Sequence, residues 1–278
     1  MYPVLFHIGA LIVPSYGVLS ALGVLLGLAL LLRTARIAGL DPNQLWNLCI
    51  VALFAALVGS RLLLVALNWT ILRSHPAWLL GLAMIHHPLL AAAGSVFALA
   101  AAVPYARRQQ LPLRSTADAL AAPLCLGLAF EQIGALLAGS GYGRETDVRW
   151  AVVYTHPLAA RWSGTPLFLP VHPVQAYAGC AFLLIAVALL LFMPRIRQEG
   201  DIFGAGLMAV SAAVYFTEFW RDSEGRGTIL HGALDGPQWV AIVLFLAGAF
   251  VLRERPEAQI EDETVVAEPA HRIEAPHE

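Results

Sequence analysis

No lysine occurs in this chain: all seventeen basic residues are arginine. That absence excludes Schiff-base chemistry and any amine tuned by burial, because lysine alone offers a side-chain amine of that kind. Charge of either sign is scarce, at 13% of residues, and the formal net charge is -2. A nucleic-acid footprint needs a basic stripe, so nucleic acid is not an expected partner. The three cysteines, Cys49, Cys125 and Cys180, fall inside apolar stretches without metal-ligand spacing. They read as small buried hydrophobes, and neither a disulfide framework nor a metal site is expected. Phosphate-cradling glycine loops and internal repeats are also missing.

What the chain has instead is long apolar runs. Of its 278 residues 59% are hydrophobic, and the mean hydropathy is +0.69. A spanning helix needs about 20 apolar residues, and such stretches lie near 14-32, 46-68, 80-103, 117-138, 173-193, 202-220 and 237-252. The expected fold is therefore all-α, a polytopic membrane protein with about seven transmembrane helices. His86, His87 and Pro88 interrupt the third stretch and mark either a broken helix or its true outer boundary.

Arginines follow alternate helices: Arg33 and Arg36, then Arg107, Arg108 and Arg114, then Arg195 and Arg197, then Arg253 and Arg255. Positive residues stay on the cytoplasmic side. The N-terminus and the 139-172 connection are then expected outside. The opening segment MYPVLFHIGALIVPS has no basic n-region, so the first helix is expected to stay uncleaved. Beyond Arg255 the chain turns acidic and poor in large apolar residues. Such a composition buries too little to offset ordering, which predicts a domain at 1-255 and a disordered cytoplasmic tail at 256-278.

Three charged residues, Arg61, Glu131 and Glu218, stand inside the apolar runs. At bilayer depth a charge costs roughly 2.5 to 3.5 kcal/mol, so it pairs, faces a polar cavity or serves function. Arg61, after the small residues of GSR, is suited to grip a phosphate with its planar fork or to snorkel to the surface. Glu131 and Gln132 precede a glycine-rich loop, Gly139 to Arg144, whose amides can hold an anion or simply stop a helix. Pairing of Glu131 with Arg61 is a structural alternative. His172, Gln175 and Tyr177 open the fifth helix, as acid or base or as cap and interfacial anchor. Glu218 and Arg221, spaced i, i+3 with Arg226 beyond, fit an ion pair or a phosphate site. Tyr16 beside Gly17 fits an interfacial belt or a ligand contact. The residues alone support a membrane enzyme or a transporter.

In this order, the segments FHIG with SYG, GSR at 59-61, STADALAAP at 115-123, YGR at 142-144, HPVQAY at 172-177, EFWR at 218-221 and GPQW at 236-239 resemble the bacterial prolipoprotein diacylglyceryl transferase family. The resemblance covers nearly all of the chain except the acidic tail. It implies transfer of the diacylglyceryl group of phosphatidylglycerol to the lipobox cysteine thiol of a prolipoprotein, in the bacterial inner membrane. A thioether forms, glycerol phosphate leaves, and no metal or cofactor is used. It implies catalytic roles for Glu131, Gln132, His172, Glu218 and Arg221. Substrate contacts are implied for Tyr16, Arg61, Gly139, Tyr142, Gly143, Arg144, Gln175, Tyr177 and Arg226. Membrane lipid and the prolipoprotein signal peptide are the implied partners. The chain departs from the family pattern where Gln132 replaces an arginine, Ala135 and Ala138 replace asparagines, Ser140 replaces an acid and Val214 replaces a second arginine. Those departures leave a lipid- or lipoprotein-binding paralogue without turnover as an alternative, and a small-solute transporter as a third.

Overall fold

The computed structural model describes residues 2-9, 11-69, 73, 88-195, 198-222, 228-229 and 234-253. Arg226, residues 80-87 of the third expected helix and the 256-278 tail lie outside the described residues. A short hairpin, β1 (Val4–Ile8) with β2 (Leu11–Pro14), leads directly into α1 (Ser15–Ile37). Next come α2 (Pro42–Leu67), α3 (Pro88–Arg108) and α4 (Leu113–Ala138). The connection after α4 holds β3 (Val152–Val153), a short α5 (Pro157–Ser163) and β4 (Pro170–Val171), the two strands pairing antiparallel. It is followed by α6 (Val174–Phe192), α7 (Asp201–Thr217), a 3₁₀ turn at Glu218–Trp220, the paired β5 (Thr228–Ile229) and β6 (Leu234–Asp235), and α8 (Gly236–Arg253).

Six of these helices, α1, α2, α4, α6, α7 with its 3₁₀ turn, and α8, are long and apolar enough to cross a membrane. α3 adds a 21-residue apolar helix. It begins at Pro88, where a missing N–H costs nothing because the first helical amides lack partners anyway. The chain is an all-α polytopic membrane protein. Its outward faces carry Phe54, Leu62, Val96, Leu184 and Leu246, all exposed, while alanine, glycine and small polar residues fill the helix interfaces. That inverted distribution is the one a lipid solvent selects.

α4 is the centre, packed on α1, α6 and α7, while α2 packs on α3 and α1, and α8 on α7. The α1–α4 seam explains itself from the sequence. A Cβ on Gly134 would stand 3.2 Å from the Tyr16 carbonyl oxygen, one on Gly23 3.0 Å from the Gly127 oxygen, and one on Gly27 3.1 Å from the Pro123 oxygen. Pro123 lacks an N–H, so it frees the Ala119 carbonyl one turn earlier. The Thr34 hydroxyl donates to that carbonyl at 2.7 Å.

A second tie lies one residue away on α4. The buried Asp118 carboxylate accepts from Gly200 N at 2.6 Å and Phe203 N at 2.7 Å, capping α7 from another helix. Capping by a charged acceptor answers amides that have no helical partner. Replacing Asp118 by Ala is expected to destabilise the protein by about 1-3 kcal/mol, because buried donors are left unmatched. Thermal unfolding in detergent should place Asp118→Asn between that variant and the native chain.

Candidate functional site

The residues singled out from the sequence fall into three linked groups at the end of the bundle opposite the arginine-flanked helix ends. In the first, the glycine-built closeness of α1 and α4 brings Tyr16 to Glu131. The tyrosine hydroxyl donates to Glu131 Oε1 at 2.9 Å, and Gln132 Nε2 donates to Oε2 at 2.6 Å. Both carboxylate oxygens are thus held by neutral donors, and the alternative pairing with Arg61 is not formed. Arg61 sits half-buried on α2, two residues after Gly59, whose missing side chain leaves room for the Phe97 ring of α3.

The second group is built on the turn after α7. Glu218 is buried at 4% exposure, and its Oε1 takes Arg221 Nε at 2.8 Å. Arg221 Nη1 donates to the Gly141 carbonyl at 3.0 Å. Gly143 and Arg221 pair as an antiparallel bridge. Arg144 N bonds Trp220 O at 2.9 Å, and Asp222 N bonds Tyr142 O at 3.2 Å. The glycine-rich loop is therefore strapped to this turn by backbone.

That strapping engages three of the loop's amides, those of Gly139, Ser140 and Arg144. Gly139 N and Ser140 N both return to Ala135 O, closing the helix, and Arg144 N is taken by Trp220 O. Gly139 adopts the left-handed conformation at φ 86° that ends α4. What the loop offers instead is a side chain. Arg144 is exposed, and its Nε donates to Arg221 O at 3.3 Å. Gly143 is required by proximity, since a Cβ there would stand 2.7 Å from His172 Cβ and closer still to the His172 carbonyl oxygen.

The third group opens α6. His172 N bonds Arg144 O at 3.0 Å, which extends the strap to a third segment. His172 Nδ1 lies 3.3 Å from Tyr177 Oη, and Tyr177 meets Trp220 edge-on at a centroid distance of 6.1 Å. Gln175, 1% exposed, donates from Nε2 to Ser140 O at 2.8 Å. Its position makes it a brace for the loop.

Three residues that sequence reasoning missed complete the picture. Trp150 Nε1 donates to Tyr177 Oη at 2.7 Å. Thr165 ties Gly139 O at 2.8 Å. Tyr154, 1% exposed, anchors the 139-172 connection under α4 by donating to Leu136 O at 3.1 Å. None of them stands in a motif; the signal was only an unexplained density of aromatics in the 139-172 connection. Val214, where the family pattern has an arginine, packs with Ala129, Ala178 and Phe182, so that position is filled by apolar contact.

Inward of the Tyr16–Glu131 pair lies an apolar cavity of about 410 Å³ between α1, α2, α3 and α4. Gly23, Leu28, Ala52, Leu99 and Leu128 line it. Leu128 is one helical turn from Glu131. Among the described residues, no group of three or more His, Cys, Asp or Glu gathers to hold a metal ion.

A family model described as prolipoprotein diacylglyceryl transferase matches residues 3–253. A protein of Synechococcus elongatus named phosphatidylglycerol–prolipoprotein diacylglyceryl transferase is 30% identical over 257 residues, spanning 90% of this chain and 86% of that one. The like-named protein of Clostridium tetani is 25% identical across 90% of this chain and 96% of its own. That of Rhizobium leguminosarum is 28% identical across 90% and 88%.

Burial pushes the Tyr154 phenol up to about 12 from 10.0, the Gln175 hydrogen bond opposing. The folded state then holds the proton more tightly than the unfolded one, so this contribution is complete below pH 10 and is lost as pH rises toward about 12. Two units correspond to about 3 kcal/mol at most. Tyr154→Phe is expected to lose less stability than the native chain across that alkaline window, measured by chemical unfolding at successive pH.

Proposed function

The chain belongs to the prolipoprotein diacylglyceryl transferase family, and from that premise we propose that it transfers the diacylglyceryl group of phosphatidylglycerol to the lipobox cysteine of a prolipoprotein. The observation that carries this reading is the juxtaposition of an apolar cavity with a polar cluster. An amphiphile fits such a place by laying acyl chains in the cavity and its headgroup among Tyr16, Glu131 and the arginines beyond. The uniformly apolar lining suits hydrocarbon and nothing charged.

The reaction asks for a nucleophilic sulfur and a stabilised leaving group. Glu131 is the carboxylate proposed to take the thiol proton, because Glu218 is held by Arg221. The sulfur then attacks the glyceryl carbon that bears the phosphate. The carbon–oxygen bond breaks, the electron pair leaves on the phosphate oxygen, and glycerol phosphate departs from a new thioether. Arg144, with its backbone fixed and its guanidinium exposed, is the leading phosphate ligand; Arg61 and Arg221 complete the cationic set. Tyr16 orients Glu131, and Gln175, Gly139 and Gly143 keep the loop in place. His172, Tyr177, Tyr142 and Gln132 complete the proposed site. Arg226 keeps the substrate-binding role that the resemblance implies.

The site is proposed to open on the outer face of the bacterial inner membrane. Arg33, Arg36, Arg107, Arg108, Arg195 and Arg253 flank the other helix ends and support a cytoplasmic placement there. Reporter fusions after Arg253 should read as cytoplasmic and fusions in the 139-172 connection as external; the reverse would remove the outward site.

Reconstitution with phosphatidylglycerol and a lipobox peptide tests the activity, following mass gain on the cysteine and release of glycerol phosphate. Arg144→Gln is expected to lower the rate by about 10²-10³, the loss of roughly 2-4 kcal/mol of charge-assisted stabilisation in the transition state. Glu131→Gln should be at least as damaging. Gln132, Ala135, Ala138, Ser140 and Val214 favour one second reading, a paralogue that binds lipid without turnover. That reading takes over if the native chain gives no product while a relative with the full family pattern does.

A further inference from the structure

The contacts of Tyr177 determine more than its own position. Its hydroxyl is partly buried between two nitrogen groups, Trp150 Nε1 at 2.7 Å and His172 Nδ1 at 3.3 Å. An indole nitrogen only donates. Tyr177 Oη must therefore accept from Trp150, and a phenol carries its proton and its principal lone pair on opposite sides of the oxygen in the ring plane. With that lone pair taken by the indole N–H, the hydroxyl has its O–H to offer the His172 Nδ1 contact, and Nδ1 is then the acceptor. Nδ1 can accept only as an unprotonated nitrogen, which puts the ring proton on Nε2.

We propose that Trp150 is a positioning residue that, through Tyr177, fixes neutral His172 with its proton on Nε2. His172 then presents an N–H and no basic nitrogen to whatever occupies the site, because its one lone pair already meets Tyr177. This replaces the acid-or-base role open to it on sequence alone. The group recognised is an anionic or carbonyl oxygen. Its neighbour supports that chemistry: His172 N bonds Arg144 O, so the imidazole N–H and the Arg144 guanidinium emerge from adjoining strands of one strap. The edge-on packing of Tyr177 against His172 and Trp220 holds the phenol between them and limits its swing. The chemical consequence for a phosphate headgroup rests on the transferase reading; the tautomer does not.

The test is nitrogen-15 NMR of the full chain, histidine-labelled, in detergent micelles. It is run about two pH units above the ordinary histidine range near 6.5, so that the ring is neutral. His172→Gln assigns the resonance. The native chain should show Nδ1 as the bare nitrogen and Nε2 as the protonated one. Trp150→Phe removes the N–H while keeping an aromatic ring, and the two nitrogens should move toward the averaged shifts of an exchanging ring. Tyr177→Phe, which removes the donor itself, should do the same and serves if the tryptophan variant fails to fold. A proton on Nδ1 in the native chain, or a tautomer unchanged by both variants, overturns the proposal. A native chain with the expected tautomer and no transfer activity would overturn the transferase reading and leave this inference standing.

Discussion

The contact of Tyr16 with Glu131 depends on how closely α1 and α4 approach. Helices in lipid gain little from burying apolar surface against each other, so their association rests on van der Waals contact and occasional hydrogen bonds. Here Gly23 and Gly27 face Gly127 and Pro123, and Gly134 faces the Tyr16 backbone, so the contact runs the length of the helices. Thr34 closes the inner end on the carbonyl that Pro123 releases. The other end of the same seam sets Tyr16 against Glu131. A carboxylate within an apolar helix needs donors close by, and Tyr16 and Gln132 supply them.

The loop-bearing end of the bundle answers a different problem, which is holding loops still without a large core. Tyr154, Val171 and Ala159 form a small apolar cluster in the 139-172 connection. Backbone bonding supplies the rest, with segments 142-144, 170-172 and 220-222 exchanging hydrogen bonds across chain distances of up to about eighty residues. Side chains are thereby left for other uses. Arg144 is the clearest case, with its amide and carbonyl both engaged and its guanidinium exposed.

The helices were largely legible because a bilayer sets their length, and apolar runs of about 20 residues match its thickness. The start of the third, at His86, His87 and Pro88, falls where the described residues begin, at Pro88. Glu218 with Arg221 was legible because i, i+3 is a local relation. Tyr16 with Glu131 was not, being 115 residues apart; the small residues that bring them together were visible, but not which helices they join. Asp118 stood inside a recognised motif with no role, because its partners, Gly200 and Phe203, lie on another helix. In the glycine loop, sequence shows which amides exist and not which are already bonded, and those of Gly139, Ser140 and Arg144 are.

The three-segment strap also divides the bundle by the kind of contact that holds it. Moving α6 away from α7 at the outer end would break the bonds of Arg144 to His172 and to Trp220, and moving either from α4 would break those of Ser140 and Gly141. That half of the circumference is stitched shut. The other half is α1, α2 and α3, whose inner surfaces line the apolar cavity and whose contacts are side-chain packing such as Phe97 over Gly59. The molecule thus has one side tied by backbone bonds between loops and another where α2 and α3 meet by side-chain packing, and the apolar cavity lies on the second.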